Sequence, residues 1–165
     1  MLKGLAPDQY KPRNQKNRMF SWRSPGKDGS RGSHHIQMTN GGGHMARILV
    51  VDDVQEAVDA IRKILEKRGH EIIGYTDEMA AIDHVTNNPV DLAILDIKLK
   101  KLDGVEVLGR LKEVQPDLKT IMLTGYPTHA SVEEATRLGA NAYCMKPIDR
   151  GELERKVDDV LSQAS

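Results

Sequence analysis

Asp91-Leu92-Ala93-Ile94-Leu95-Asp96 is the stretch that decides the fold: an apolar run held between two carboxylates. A short apolar run with polar bounds is the signature of a strand buried on both faces, the kind found in parallel sheets. The residues that follow, Ile97-Lys98-Leu99-Lys100-Lys101-Leu102-Asp103-Gly104, close in turn chemistry. A carboxylate at the C-terminal end of such a strand faces the crevice where open α/β sheets bind ligands. Taken alone, Asp96 reads as ordinary strand-ending turn chemistry. Its weight comes from recurrence of the pattern along the chain.

Upstream, Ile48-Leu49-Val50-Val51 is a second buried run, ended by Asp52-Asp53. A helix follows, with Val54, Ala57, Val58, Ile61, Ile64 and Leu65 on one face, and Gly69 stops it. Glu71–Tyr75 is a strand, and a short helix spans Asp77–Thr86 before Asn87-Asn88-Pro89. Downstream of Asp96, the spacing predicts a helix over Gly104–Gln115, halted before Pro116. Thr120-Ile121-Met122-Leu123 is a strand ended by Thr124-Gly125, and a helix near Ser131–Leu138 is closed by Gly139. Ala142-Tyr143-Cys144-Met145 is the fifth strand, ended by Lys146-Pro147. Asp149 and Glu152 open the last helix as a capping-box-like pair, and that helix presents Leu153, Val157, Val160 and Leu161. Five repeats of strand then helix imply one α/β domain: a doubly wound five-stranded parallel sheet with helices on both faces.

Composition divides the chain. Residues 1–45 carry eight Lys/Arg against Asp8 and Asp28, whereas residues 46–165 carry 16 Lys/Arg against 22 Asp/Glu. The basic part is rich in Gly, Ser and Asn and has no apolar period. Gly41-Gly42-Gly43-His44-Met45 resembles a cloning junction, so residues 1–44 read as a disordered basic expression leader and residues 45–165 as the folded domain. The alternative is a native basic arm for nucleic acid or an acidic partner, with Phe20 and Trp22 available for stacking. His34, His35 and His44 are too loosely spaced for a metal site, and Gly41, Gly43 and Ala46 match a dinucleotide fingerprint only formally, since they precede a strand. No apolar run approaches the ~20 residues of a membrane span. The single cysteine, Cys144, excludes an intrachain disulfide framework and fits a reducing cytoplasm. His70, His84 and His129 read as scattered surface residues.

Four of the five strands therefore end in chemistry: Asp52-Asp53, Asp96, Thr124 and Lys146. Crowded carboxylates repel, by roughly 4 kcal/mol for two unit charges ~4 Å apart at an effective dielectric of 20. A hard divalent cation with oxygen ligands compensates, and Mg²⁺ characteristically takes one or two carboxylates plus substrate phosphate. A lysine suits a phosphoryl oxygen as a point charge. Thr124 adds a hydroxyl, and the Gly125 backbone N–H can approach a phosphate closely. An ionised aspartate is a competent nucleophile, giving an aspartyl-phosphate.

On Asp52-Asp53, Asp96, Asp103-Gly104, Thr124, and Tyr143 three residues before Lys146-Pro147, residues 46–165 resemble the receiver domain of bacterial two-component response regulators, the chemotaxis-regulator-like family. The resemblance implies the flavodoxin-like strand order 2-1-3-4-5, with the second strand at an edge. It implies that Asp96 accepts a phosphoryl group from a sensor histidine kinase or phosphotransfer protein. Asp53, Asp96 and the Lys98 carbonyl would bind Mg²⁺ directly, with Asp52 acting through water. Thr124, Gly125 and Lys146 would hold the phosphoryl group. Tyr143 would be an aromatic switch that turns inward as Thr124 moves. The fourth helix, fifth strand and fifth helix would be the readout surface, and the bond before Pro147 would be cis. Such a domain is an acceptor phosphorylated on its own aspartate, not a turnover enzyme, and needs neither membrane nor nucleic acid. Lys100 departs from the family, where proline is frequent, and would loosen the loop after Asp96.

Two rival readings remain at this level. An aspartate-nucleophile phosphatase of the haloacid-dehalogenase type wants a second aspartate two residues after the nucleophile, where this chain has Lys98. A phosphorylation-independent interaction module on the same fold commonly loses an acidic residue or the lysine, and both are present here. Lys98 and Tyr126, two residues after Asp96 and Thr124, resemble the pair in receivers that serve as phosphorelay intermediates; both are long enough to shield an acyl phosphate from water. The chain runs out at Ser165, just past the last helix, so a stand-alone receiver and a piece of a longer regulator are both open, as are the output and the oligomeric state.

Overall fold

A computed structural model describes residues 45–163. In chain order the elements are β1 (Arg47–Val51), α1 (Gln55–Glu66), β2 (Glu71–Tyr75), α2 (Glu78–Asn87), β3 (Leu92–Asp96), α3 (Gly104–Val114), β4 (Lys119–Thr124), α4 (His129–Arg137), β5 (Ala142–Met145) and α5 (Arg150–Ser162). The five strands form one sheet in the order β2-β1-β3-β4-β5, and every pairing is parallel. The leader assigned to residues 1–44, with Phe20, Trp22 and the histidines at 34, 35 and 44, lies outside the described residues.

The strands separate two cores because successive side chains point to opposite faces. Ile48, Val50, Ile94, Ile121 and Leu123 pack with Val58, Ile61 and Leu65 of α1 and Leu153 and Val157 of α5. Leu49, Val51, Leu95 and Met122 pack with Val85 of α2, Leu108 and Leu111 of α3, and Ala135 of α4. All five residues of β3 are buried, as a central strand covered on both sides requires. Parallel pairing brings every C-terminal strand end to one edge: Val51 lies opposite both Tyr75 and Leu95, Asp96 opposite Leu123, and Thr124 opposite Met145. No helix among the described residues is long and apolar enough to cross a membrane.

Local chemistry sets the element ends. Asp77, Asp103 and Asp149 cap α2, α3 and α5 by accepting from Ala80, Val105 and Glu152 backbone N–H groups at 3.0, 2.8 and 2.8 Å. Glu152 pairs with Lys156 at 2.7 Å. Thr128 and Ser131 form a reciprocal capping box, which starts α4 at His129, two residues before the position expected from its apolar spacing. Gly69 and Gly139 end their helices at φ of 86° and 87°. Val54, expected on the buried face of α1, is instead its N-cap residue and is exposed.

The histidines correct a second expectation. His129 is exposed, but His84 is half-buried against Tyr75, and His70 is buried. His70 Nδ1 accepts the Ala46 backbone N–H at 3.3 Å, tying the segment after α1 to the start of β1. Periodicity missed it because His70 sits in a turn, where no helical or strand face is defined. Burial pushes the His70 pKa down, and Arg68 adds to this against the opposing pull of Asp158. A histidine held below its ordinary value near 6.5 binds fewer protons folded than unfolded. Its contribution is present above about pH 6.5 and is lost as pH falls below it toward the lowered folded value. Urea unfolding should therefore show a smaller loss of stability between about pH 7 and pH 5.5 for His70→Asn, which keeps an acceptor without the titration, than for wild type. Equal losses would contradict the assignment.

Candidate functional site

Asp52 and Asp53 follow β1 and Asp96 ends β3; one carboxylate oxygen from each of the three lies within 4.8 Å of the others. Asp52 is 0% and Asp96 6% exposed, and Asp53 is partly buried. Such crowding needs a cation, and Lys146, just past β5, supplies one. Its ammonium donates to Asp52 Oδ2 at 2.6 Å and to Asp96 Oδ2 at 2.9 Å. Burial alone would lower the Lys146 pKa, but the bonds to Asp52 and Asp96 outweigh it and hold the ammonium above its ordinary value. The remaining oxygens of these carboxylates accept backbone N–H groups, Asp52 Oδ1 from Val54 at 3.0 Å and Asp96 Oδ1 from Lys98 at 3.3 Å.

Asp53 is satisfied differently. Its Oδ2 lies 3.5 Å from the Lys100 ammonium, whose side chain is 75% exposed, so the pair is weakly held. Thr124, buried at the end of β4, accepts the Tyr126 N–H on its hydroxyl at 3.2 Å, and its carbonyl accepts the Lys146 N–H at 2.8 Å. This joins the hydroxyl's residue to the lysine's. Gly125 is exposed beside them. The Lys146–Pro147 bond is cis.

Further sequence candidates fall at the rim. Lys98 and Tyr126 come together from different loops, with the ammonium 5.1 Å from the ring centroid, at cation–π range. Tyr143 is half-buried, and its hydroxyl donates to the Val132 carbonyl at 2.8 Å and lies 3.0 Å from Thr136 Oγ1, both in α4. The Asp103-Gly104 pair is more than a turn. A side chain at Gly104 would collide with the backbone carbonyl of Asp96, so the close approach of α3 to the end of β3 demands glycine. The Gly104 N–H also closes the loop by donating to Ile97 O at 2.8 Å.

Sequence reasoning missed the role of Glu78. At the first position of α2 it is 1% exposed, and its Oε1 accepts the Lys101 N–H at 3.0 Å. Its neighbour Asp77 pairs with the Lys101 ammonium. The loop carrying Lys100 is therefore gripped rather than loosened. The available signal was an Asp-Glu pair at a helix start facing a lysine-rich loop, but that pair also reads as ordinary N-terminal helix chemistry.

Three carboxylates, a hydroxyl and a half-buried lysine thus meet at the C-terminal edge of a parallel sheet, the arrangement that the resemblance to receiver domains implies. The comparisons with known proteins agree. The family model of the response regulator receiver domain matches residues 48–158, and the chain belongs to that family. Sporulation initiation phosphotransferase F of Bacillus subtilis is 30% identical over 115 residues, covering 70% of this chain and 93% of that protein. The alkaline phosphatase synthesis transcriptional regulatory protein PhoP of the same organism is 31% identical over 118 residues, but this chain spans only 49% of it. Among solved structures, a CheY-like receiver domain protein from Methanospirillum hungatei superposes with a TM-score of 0.69 at 33% identity, covering 71% of this chain and 94% of that one. Vibrio cholerae CheY4, at 22% identity and a TM-score of 0.67, shares the fold. Membership of this family sets the phosphatase alternative aside.

Lys146→Met leaves three neighbouring carboxylates without the half-buried cation that pairs with Asp52 and Asp96. It should destabilise the domain by about 2 kcal/mol at neutral pH in denaturant unfolding, because an unpaired buried charge remains. Adding Asp52→Asn should recover part of that loss. Unchanged stability in the single variant would contradict the electrostatic role of Lys146.

Proposed function

We propose that this receiver takes a phosphoryl group onto Asp96 from a phosphohistidine of a sensor kinase or phosphotransfer protein, with Mg²⁺, and signals through a change of conformation. The observation that carries this reading is the pairing at Asp96 itself. One oxygen is held by Lys146 and the other by the Lys98 N–H, at the end of a buried strand beside two further carboxylates. The donor set is all hard oxygen with an excess of negative charge, which fits a hard divalent cation. Asp53, Asp96 and the Lys98 carbonyl would hold the ion, with Asp52 acting through water. When bound, the ion supplies charge neutralisation between the incoming phosphoryl group and the carboxylates.

The protein's own residues perform the remaining tasks. Asp96 is the nucleophile: its carboxylate oxygen bonds to phosphorus as the bond from phosphorus to the donor nitrogen breaks. Lys146, already on Asp96, follows the new charge onto a phosphoryl oxygen. Thr124 turns its hydroxyl to a second oxygen, and the Gly125 N–H is available to a third. Because Thr124 O and Lys146 N are hydrogen-bonded, movement of Thr124 is felt in β5. Tyr143 there is tethered to α4 through Val132 and Thr136. Phosphorylation would shift an existing equilibrium of this tether and change the α4–β5–α5 face that a partner reads.

Incubation with acetyl phosphate and Mg²⁺ tests the reading. Wild type should acquire one acid-labile and base-labile acyl phosphate, and Asp96→Asn none, with its fold retained. A wild type that acquires none favours the interaction-module reading; label persisting in the variant moves the nucleophile elsewhere. The Lys98–Tyr126 contact bears on lifetime. On this reading the pair would flank the approach that water needs for in-line attack, so Lys98→Asn and Tyr126→Ala should each lose the phosphoryl group faster than wild type. A short-lived wild-type phosphoryl group, or no change in either variant, would contradict the shield.

A further inference from the structure

The loop from Ile97 to Asp103 carries both the Lys98 carbonyl and the Lys100 ammonium past the acidic cluster, so its path matters to the site. It is fastened at its base by Gly104 N–H on Ile97 O and near Asp96 by Lys98 N–H on Asp96 Oδ1. Leu99 and Leu102 rest against the core. Its far side is fastened by Glu78. A carboxylate 1% exposed would be expensive to bury unpaired, and this one accepts the Lys101 N–H at 3.0 Å. Burial would push the Glu78 pKa up, yet the backbone N–H groups of Lys101, of Glu78 itself and of Lys100 outweigh burial and hold it below its ordinary value. Asp77 reinforces the grip from outside by capping α2 and pairing with the Lys101 ammonium.

We propose that Glu78 is a positioning residue for the cation site: by binding the Lys101 backbone N–H from α2, it sets where the Lys98 carbonyl stands relative to the Asp53–Asp96 pair. The inference rests on the Mg²⁺ reading of that cluster. Glu78 does not touch the reacting atoms; it acts through the loop. Partners of this kind, one step removed from a metal, set how well the direct ligands converge.

The test is a Mg²⁺ titration of the full chain, followed by NMR amide shifts, together with acetyl phosphate labelling rates across the same Mg²⁺ range. Glu78→Ala should raise the Mg²⁺ concentration for half-saturation by about tenfold. Its labelling rate at saturating Mg²⁺ should stay near that of wild type. Glu78→Gln, which keeps one acceptor oxygen, should fall between the two. Val85→Ala, deeper in the same helix, is the comparison for lost packing: it should lower the melting temperature without moving half-saturation. Wild-type affinity in Glu78→Ala, or an equal rise in Val85→Ala, overturns the positioning role alone. A wild type with no Mg²⁺ response overturns the metal reading and this inference with it.

Discussion

Two hydrogen bonds from one ammonium, Lys146 to Asp52 and to Asp96, hold together charges from three different strands. Without them the ends of β1 and β3 would carry unneutralised carboxylates a few ångströms apart, in surroundings where each repels the other strongly. The cost of bringing them together is met by the two cores, which hold the strands in register whatever their ends carry. The site is thus a charged cluster imposed on a frame that does not need it. That arrangement can favour one conformation when the charges are bare and another when they are changed.

Asp53 stands apart within the cluster. Asp52 and Asp96 share the half-buried Lys146, whereas Asp53 pairs with the exposed ammonium of Lys100. A weakly paired carboxylate beside two strongly paired ones is the natural point of arrival for a cation, since displacing Lys100 costs little. The same loop that brings Lys100 is fastened by Glu78, so α2 and the acidic cluster are mechanically joined. On the other side, Thr124 and Tyr143 join the cluster to α4. The proposed switch uses the second connection and the proposed cation geometry uses the first.

Much of this was readable from residue order. Strand-ending Asp52-Asp53, Asp96, Thr124 and Lys146 announce themselves because apolar runs stop abruptly at them, and parallel strands must present those ends on one side. The order of the strands is not written in periodicity; it came from family resemblance, and the sheet has that order. Burial of His70 and His84 was not readable, because a histidine in a turn or on a helix flank has no pattern to betray its neighbours. Glu78 was hidden for a different reason. Its partners are backbone N–H groups, which carry no identity in the sequence, and its position at a helix start already had an ordinary explanation. The capping box at Thr128 and Ser131 moved the start of α4 for a comparable reason: side-chain capping overrode the apolar spacing.

The central claim is that Asp96 is the residue that becomes phosphorylated. Borohydride reduction after acetyl phosphate and Mg²⁺ treatment, followed by peptide mapping, reads this directly, since reduction converts an aspartyl phosphate to homoserine. The account predicts homoserine at position 96 and unmodified aspartate at positions 52 and 53. Homoserine at either of those positions, or none in a protein that has taken up phosphoryl groups, would contradict it.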